Sequence, residues 1–360
     1  MKLIHTADPR LCAAGHAHLS PEKEKQCAAE RMKLLEEMID YAEKEGVDAL
    51  MILGALFDEG RMYPHLKARI FQLFGEHEGL KFFCLPENEE ALKKITEGGA
   101  LPANLKIFDA NWTQYRIGDV LISGAVMGTE NEEAVYDTAA FPEELMNIVL
   151  LYQEGPDGEL KVDADRLKKH YIDYLAVGPS ASYRMESMDE RGILVASGSM
   201  EGVDYEEEGP HGFVLLEVNE EDRQISSHFI PFAHREFYTI SLDVSGSEDS
   251  ESIIEKAGEA LDSRRVPDSA FVRLVLTGEQ DIESRKDVKK IYHALQPYCF
   301  DLDLQDQSVF RIDAERYAND ASLKGEFVRS VCADEELTEE EKITVLRMGL
   351  QAIQEEEVTA

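Results

Sequence analysis

Four oxygen-bearing side chains stand where an α/β chain would place its chemistry: Asp8 in ADPR, Asp58 in GALFD, and Asn88 with Glu89 in PENEE. Each follows a short apolar run. Each would therefore sit on a loop at a strand C-terminus, the edge at which parallel sheets carry their ligands. Together with Glu90 they could form an all-oxygen cluster, a donor set that suits Mg or Ca better than Zn or Mn. The plainer reading, which is preferred, puts Glu89 and Glu90 in the first turn of a helix running toward Lys94, where acidic residues favour the dipole. Arg10 stands two residues after Asp8, a position at which such sites usually want a histidine. A guanidinium stays protonated and offers a cation no lone pair.

Other reactive side chains are less well placed. Cys12, His16 and His18 have a tempting spacing, but nothing nearby completes the four ligands of a structural zinc. His5, at a strand end, is expected to be hydrogen-bonded scaffold. Ser180, Ser182 and Ser199 lie outside any G-x-S-x-G elbow, and spacing assigns them no His or Asp partner.

The elements that must position these residues follow from periodicity. Lys2 to Ile4 reads as a strand, and Ser20-Pro21 caps a helix whose apolar positions Met32, Leu35, Met38, Ile39 and Ala42 recur until Gly46. Ala49 to Leu53 and Lys81 to Leu85 read as buried parallel strands, with a helix around Leu66 to Phe74 between them. Strands are also expected near residues 105–108, 112–117, 120–124, 147–152, 174–177, 193–196 and 213–218, with a helical segment from Ala164 to His170. The pattern restarts at Phe237 as a small α+β region. It ends in two helices, one with the stripe Leu323, Phe327, Val328 and Val331, the other capped by Thr338 and Glu341 and carrying Ile343, Leu346, Leu350 and Ile353.

In their order and spacing the loops ADPR, GALFD, PENEE, YQEG and GPSAS resemble the five motifs of the calcineurin-like metallophosphoesterases, in particular the SbcD-type nuclease subunit of the Mre/Rad repair complex. Those motifs are D-x-H, G-D-x-x-D, G-N-H-D, a His after an apolar strand, and G-H-x-H. The resemblance covers residues 1 to about 235 and includes Gly198-Ser199, Glu206 and Gly212-Phe213, similar to the family's G-S-P and E-x-G-x-K-G-F elements. It implies a four-layer α-β-β-α sandwich over 1–235, a small α+β cap domain over 236–318 and a C-terminal helical module over 319–360. In the family two divalent ions polarise a phosphodiester and generate a metal-bound hydroxide. Here Asp8 and Asn88 keep the family's ligand type, whereas its remaining positions are Arg10, Ala55, Glu89, Tyr152, Pro179 and Ala181. The expectation is a degenerate site holding no metal, with Arg10 filling vacated space and pairing with Asp8. The alternative is a rebuilt site for Mg or Mn on Asp8, Asp58, Asn88 and Glu89.

The resemblance further implies a partner. SbcD-type nucleases dock a C-terminal helical module on the coiled coil of an SMC-like ATPase, so Leu323, Phe327, Val331, Ile343, Leu346, Leu350 and Ile353 are the expected partner-binding residues; a homodimer is also possible. The net charge of -36, from 73 acidic against 37 basic residues, opposes long-range attraction to phosphate backbones, so direct DNA binding is expected to be weak or indirect. The five cysteines are scattered and never spaced C-x-x-C, which argues for reduced thiols. No apolar run reaches membrane-span length and no signal-peptide pattern is present, so a cytoplasmic location is expected.

Overall fold

The computed structural model describes residues 1–13, 19–57, 63–98 and 100–359, and their side chains except those of 314 and 354–359. His16, His18 and Asp58 lie outside the described residues. The chain divides into two compact units, Met1–Glu236 and Phe237–Ala360.

The first unit is built on β1 (Lys2–Ala7), α1 (Pro21–Glu45), β2 (Ala49–Leu53), α2 (Pro64–Glu76), β3 (Lys81–Leu85), α3 (Glu89–Thr96), β4 (Leu105–Ile107), β5 (Thr113–Ile117), β6 (Val120–Gly124), α4 (Glu132–Asp137), β7 (Met146–Tyr152), β8 (Tyr174–Gly178), β9 (Arg184–Ser187), β10 (Ile193–Ala196), β11 (Gly212–Asn219) and β12 (Gln224–Pro231). One sheet runs β12-β11-β1-β2-β3-β4 and the other β5-β6-β7-β8-β10-β9. Their centres are parallel: β1 pairs with β2, β2 with β3, β6 with β7, β7 with β8, and β8 with β10. Central strands covered on both faces need apolar residues at nearly every position, and ALMIL of β2 and MNIVLLY of β7 are buried throughout.

Successive side chains on these strands go to different cores. Leu50 and Ile52 pack with Leu34, Leu35, Met38 and Ile39 of α1 and with Ile70 and Phe74 of α2. Ala49, Met51 and Leu53 pack instead with Ile148, Leu150, Tyr174 and Ala176 of the other sheet. Val149, Leu151, Leu175 and Val177 face a third cluster that holds Val135, Tyr136 and Leu167. Helix α1 has the expected ends: the Ser20 hydroxyl accepts from Lys23 N–H, Pro21 opens the first turn, and Gly46 closes the helix at φ +66°.

Local departures have local causes. The expected helix over 164–170 is only a 3-10 turn, Ala164–Leu167, because Lys169 and Tyr171 take positive φ (67° and 62°). Strand β9 announces itself by no apolar residue pattern, since all four of its residues are exposed at a sheet edge.

In the second unit β13 (Phe237–Asp243), α5 (Ser250–Arg264), β14 (Phe271–Thr277), α6 (Val288–Leu295) and β16 (Asp301–Asp306) form a three-stranded parallel sheet with its helices, while β15 (Glu279–Asp281) pairs with β17 (Val309–Arg311). Helices α7 (Ala314–Tyr317), α8 (Leu323–Cys332) and α9 (Glu339–Thr359) follow. The stripe expected to meet a partner is divided. Val331, Leu346 and Leu350 are buried in one cluster with Ile282 and Tyr317, and Phe327 and Ile343 pack against it. Those residues are engaged by their own unit, which corrects their expected availability to a partner. Ile353 is half-buried, and among the described side chains of the pair the large apolar ones that are exposed are Leu323, Val345 and Met348.

Candidate functional site

The β1–β2 ladder does not stop at the strand ends. Asp8 N–H donates to Leu53 O (2.9 Å), Arg10 N–H to Ala55 O (2.8 Å) and Leu11 N–H to Leu56 O (3.0 Å). On the other side Met200 N–H donates to Ala7 O (2.9 Å). This pairing carries ADPR through the left-handed region, with φ +44° at both Asp8 and Arg10. For residues with a Cβ that conformation costs roughly 1–2 kcal/mol each, so the surrounding contacts must hold it.

Asp8 Oδ1 accepts from Ala55 N–H (2.8 Å) and from the Tyr152 hydroxyl (3.0 Å). The phenol ring lies at the end of β7 between two glycines. A Cβ on Gly54 would stand 2.2 Å from Asp8 Oδ1 and 2.3 Å from Tyr152 Cε2, and one on Gly178 would stand 2.7 Å from Tyr152 Cδ2. The ring therefore fills the space between the loops after β2 and β8. Asp8 is 1% exposed, and its Oδ2 has no hydrogen-bond partner among the described residues. Burial pushes the Asp8 carboxyl up to about 6, against the pull of Arg10, the Ala55 N–H and the Tyr152 hydroxyl. Burial and the Asp8 charge both push the Tyr152 phenol upward, so tyrosine is the donor of this pair.

Arg10 does not take Asp8 as its ion-pair partner, contrary to expectation. Its Nη1 lies 2.6 Å from Glu207 Oε1. Burial opposes the guanidinium charge, but Glu207 and then Asp8 outweigh it and raise the Arg10 pKa. Behind Glu207 the network continues: Ser199 Oγ donates to Glu207 Oε2 (2.7 Å) and lies 3.0 Å from His211 Nδ1, while His211 Nε2 lies 2.9 Å from Glu207 O. Glu207 and not Glu206 thus stands in the E-x-G-x-x-G-F register, since Glu206 is exposed. Counting back from Gly209 and Gly212 would have found it. A serine, a histidine and a carboxylate do meet here, which spacing had not assigned. They do not make a nucleophile, because Ser199 and His211 are each 1% exposed and the serine proton is directed to Glu207.

The other expected positions are dispersed. Asn88 Oδ1 caps α3 by accepting from Ala91 N–H (2.9 Å), and Glu89 is exposed in the first turn. Pro179 is buried next to Gly178, and Ala181 is exposed. His5 is fully buried, with Nδ1 2.9 Å from the Tyr174 hydroxyl. Among the described residues no three His, Cys, Asp or Glu side chains are grouped to hold a metal ion. The donors at Asp8 do not fit a two-ion centre: one carboxylate oxygen is open, the other is engaged twice, and the side chain beside it is a cation.

No described helix is long and apolar enough to cross a membrane. No protein-family model and no curated protein matches the chain. Among solved structures it is similar to TT1561 of Thermus thermophilus, with 14% identity and a TM-score of 0.41 over 63% of this chain and 98% of that one. It is also similar to 5'-nucleotidase from Candida albicans, with 11% identity and a TM-score of 0.34 over 64% of this chain and 52% of that one.

Proposed function

We propose that this chain is a degenerate SbcD-type member of the calcineurin-like metallophosphoesterases, a non-catalytic subunit that keeps a nuclease scaffold for assembly with an SMC-like ATPase in DNA maintenance. One observation carries the reading: Tyr152 stands where the motif order puts a ligand histidine, and its ring fills the space between Gly54 and Gly178 while its hydroxyl holds Asp8. A phenol in that seat donates a hydrogen bond to the carboxylate that would otherwise hold a cation. Arg10 adds a fixed positive charge beside it.

Three buried clusters, one of them common to both sheets, support a four-layer α-β-β-α arrangement for the first unit. Leu323, Val345 and Met348 are the surface offered to the coiled-coil partner. Elemental analysis of protein purified with Mn and Mg, with Asp8→Ala as control, tests the site. The expected result is no Asp8-dependent metal and no phosphodiester hydrolysis. Co-migration with a purified SMC-like coiled-coil ATPase, abolished by Leu323→Asp with Met348→Asp, tests the assembly role. Its failure would leave the closed site standing and remove the partner.

A second reading rests on the unpartnered Asp8 Oδ2. It makes the chain a phosphoesterase or nuclease with Mg or Mn on Asp8, Asp58, Asn88 and Glu89. The capping role of the Asn88 oxygen and the exposure of Glu89 weigh against it. Near-stoichiometric metal that disappears in Asp8→Ala, together with Asp8-dependent hydrolysis, would establish this reading and sink the first.

A further inference from the structure

We infer that His211 is held in the folded protein as a doubly protonated imidazolium, and that it positions Arg10 through Glu207, clamping the loop that carries Asp8 from behind. The inference stands on hydrogen-bond geometry and does not need the assembly role proposed above. His211 Nε2 is 2.9 Å from Glu207 O, an oxygen that only accepts, so Nε2 carries a hydrogen. Nδ1 is 3.0 Å from Ser199 Oγ and 3.3 Å from Ser199 O. The carbonyl only accepts, and the single hydroxyl proton of Ser199 is directed to Glu207 Oε2 at 2.7 Å. A bare Nδ1 would therefore point its lone pair at two oxygens. The other arrangement turns the serine proton toward Nδ1 and needs a protonated Glu207 to occupy the 2.7 Å contact. It holds the same number of protons. Arg10 Nη1, 2.6 Å from Glu207 Oε1, decides for the carboxylate and leaves the extra proton on the ring.

Charge balance agrees. Among the described residues, the groups that act on Glu207 and Arg10 are Asp8, Tyr152 and Arg31, and Arg31 in turn faces Glu201. Beyond them Arg235 and Glu30 pair with each other. With His211 charged, Arg10, Arg31 and His211 stand against Asp8, Glu201 and Glu207. With His211 neutral, this described set is left with unbalanced negative charge, which burial penalises. His211 grips Glu207 twice, at its carbonyl directly and at its carboxylate through Ser199. The partner of Arg10 is thereby oriented before Arg10 reaches it, and the strained ADPR loop is held from both sides.

Neutron diffraction from deuterated crystals of the full chain at neutral pH tests the charge: a deuteron on each ring nitrogen is expected, and a bare Nδ1 would overturn the proposal. Amide hydrogen exchange at Arg10 and Leu11 tests the positioning role. His211→Gln should speed both by about an order of magnitude, the worth of one charge-assisted hydrogen bond, while the charge-preserving His211→Lys should stay within about two-fold of the native chain. Unchanged exchange in His211→Gln would refute the clamp. If that variant does not fold, the neutron map of the native chain still decides the charge on which the clamp depends.

Discussion

Asp8 and His5 belong to the same strand and its end, and burial drives their titrations in opposite senses for stability. His5 is pushed down from its ordinary 6.5 to about 3, so below pH 6.5 the unfolded chain takes up a proton that the folded one refuses. Stability from this group is present above that pH and is lost as pH falls toward 3, by up to about 5 kcal/mol. Asp8 is raised from 3.8 to about 6, so in that window the folded protein holds the proton and the unfolded chain does not. Its effect is a loss of about 3 kcal/mol as pH rises through the window. The two effects partly offset between pH 4 and 6. Asp8→Asn removes one of them while keeping an oxygen for Ala55 N–H and the Tyr152 hydroxyl. Urea unfolding free energies should therefore fall more steeply from pH 6 to pH 4 in Asp8→Asn than in the native chain. Parallel curves would show that Asp8 ionises in the folded protein as it does in the unfolded one.

At the scale of elements, the turns that end β2 and α1 offer a paired test. Gly54 and Gly46 both have positive φ, +76° and +66°. A methyl on Gly46 meets nothing within 4 Å, whereas one on Gly54 collides with Asp8 and Tyr152. Gly46→Ala should cost about 1 kcal/mol from backbone strain alone, and Gly54→Ala roughly 3 kcal/mol or more, because the wedged ring must also move. Urea midpoints of the two variants compare them directly. Equal losses would mean that the tyrosine is not tightly seated. The same segment shows how far element-level reading reaches. The end of β2 is marked in the sequence by an apolar run meeting a glycine, but the space that only glycine leaves there is taken by Asp8, 46 residues earlier, and by Tyr152 of β7, about 100 residues later in the chain.

For the whole molecule the dominant fact is charge. A net -36 leaves exposed carboxylates repelling one another, so raising salt from about 10 to about 200 mM should raise the urea midpoint by screening. The same surface should fail to bind duplex DNA even at about 20 mM salt, where counterion release is most favourable. Tight binding that weakens steeply with salt would instead reveal a local basic surface and would favour a nucleic-acid-binding role over an assembly one.

The sequence by itself determined what is local. Apolar runs bounded by Gly46, Gly54 and Pro86 mark the buried strands, and Ser20-Pro21 marks the start of α1. These signals work because periodicity and capping are read within a few residues of where they act. Only the tertiary structure decided which partner each polar side chain takes. Arg10 meets Glu207, 197 residues away, in preference to Asp8 two residues away, because the extended ladder of β1 with β2 fixes the loop while Ser199 and His211 hold Glu207 in reach. The edge strands β9 and β12 were hard to read for a related reason. β9 is exposed throughout and needs no apolar pattern, while β12 sets only Ile225, Phe229 and Ile230 against the buried clusters; each takes its place from the neighbour it completes.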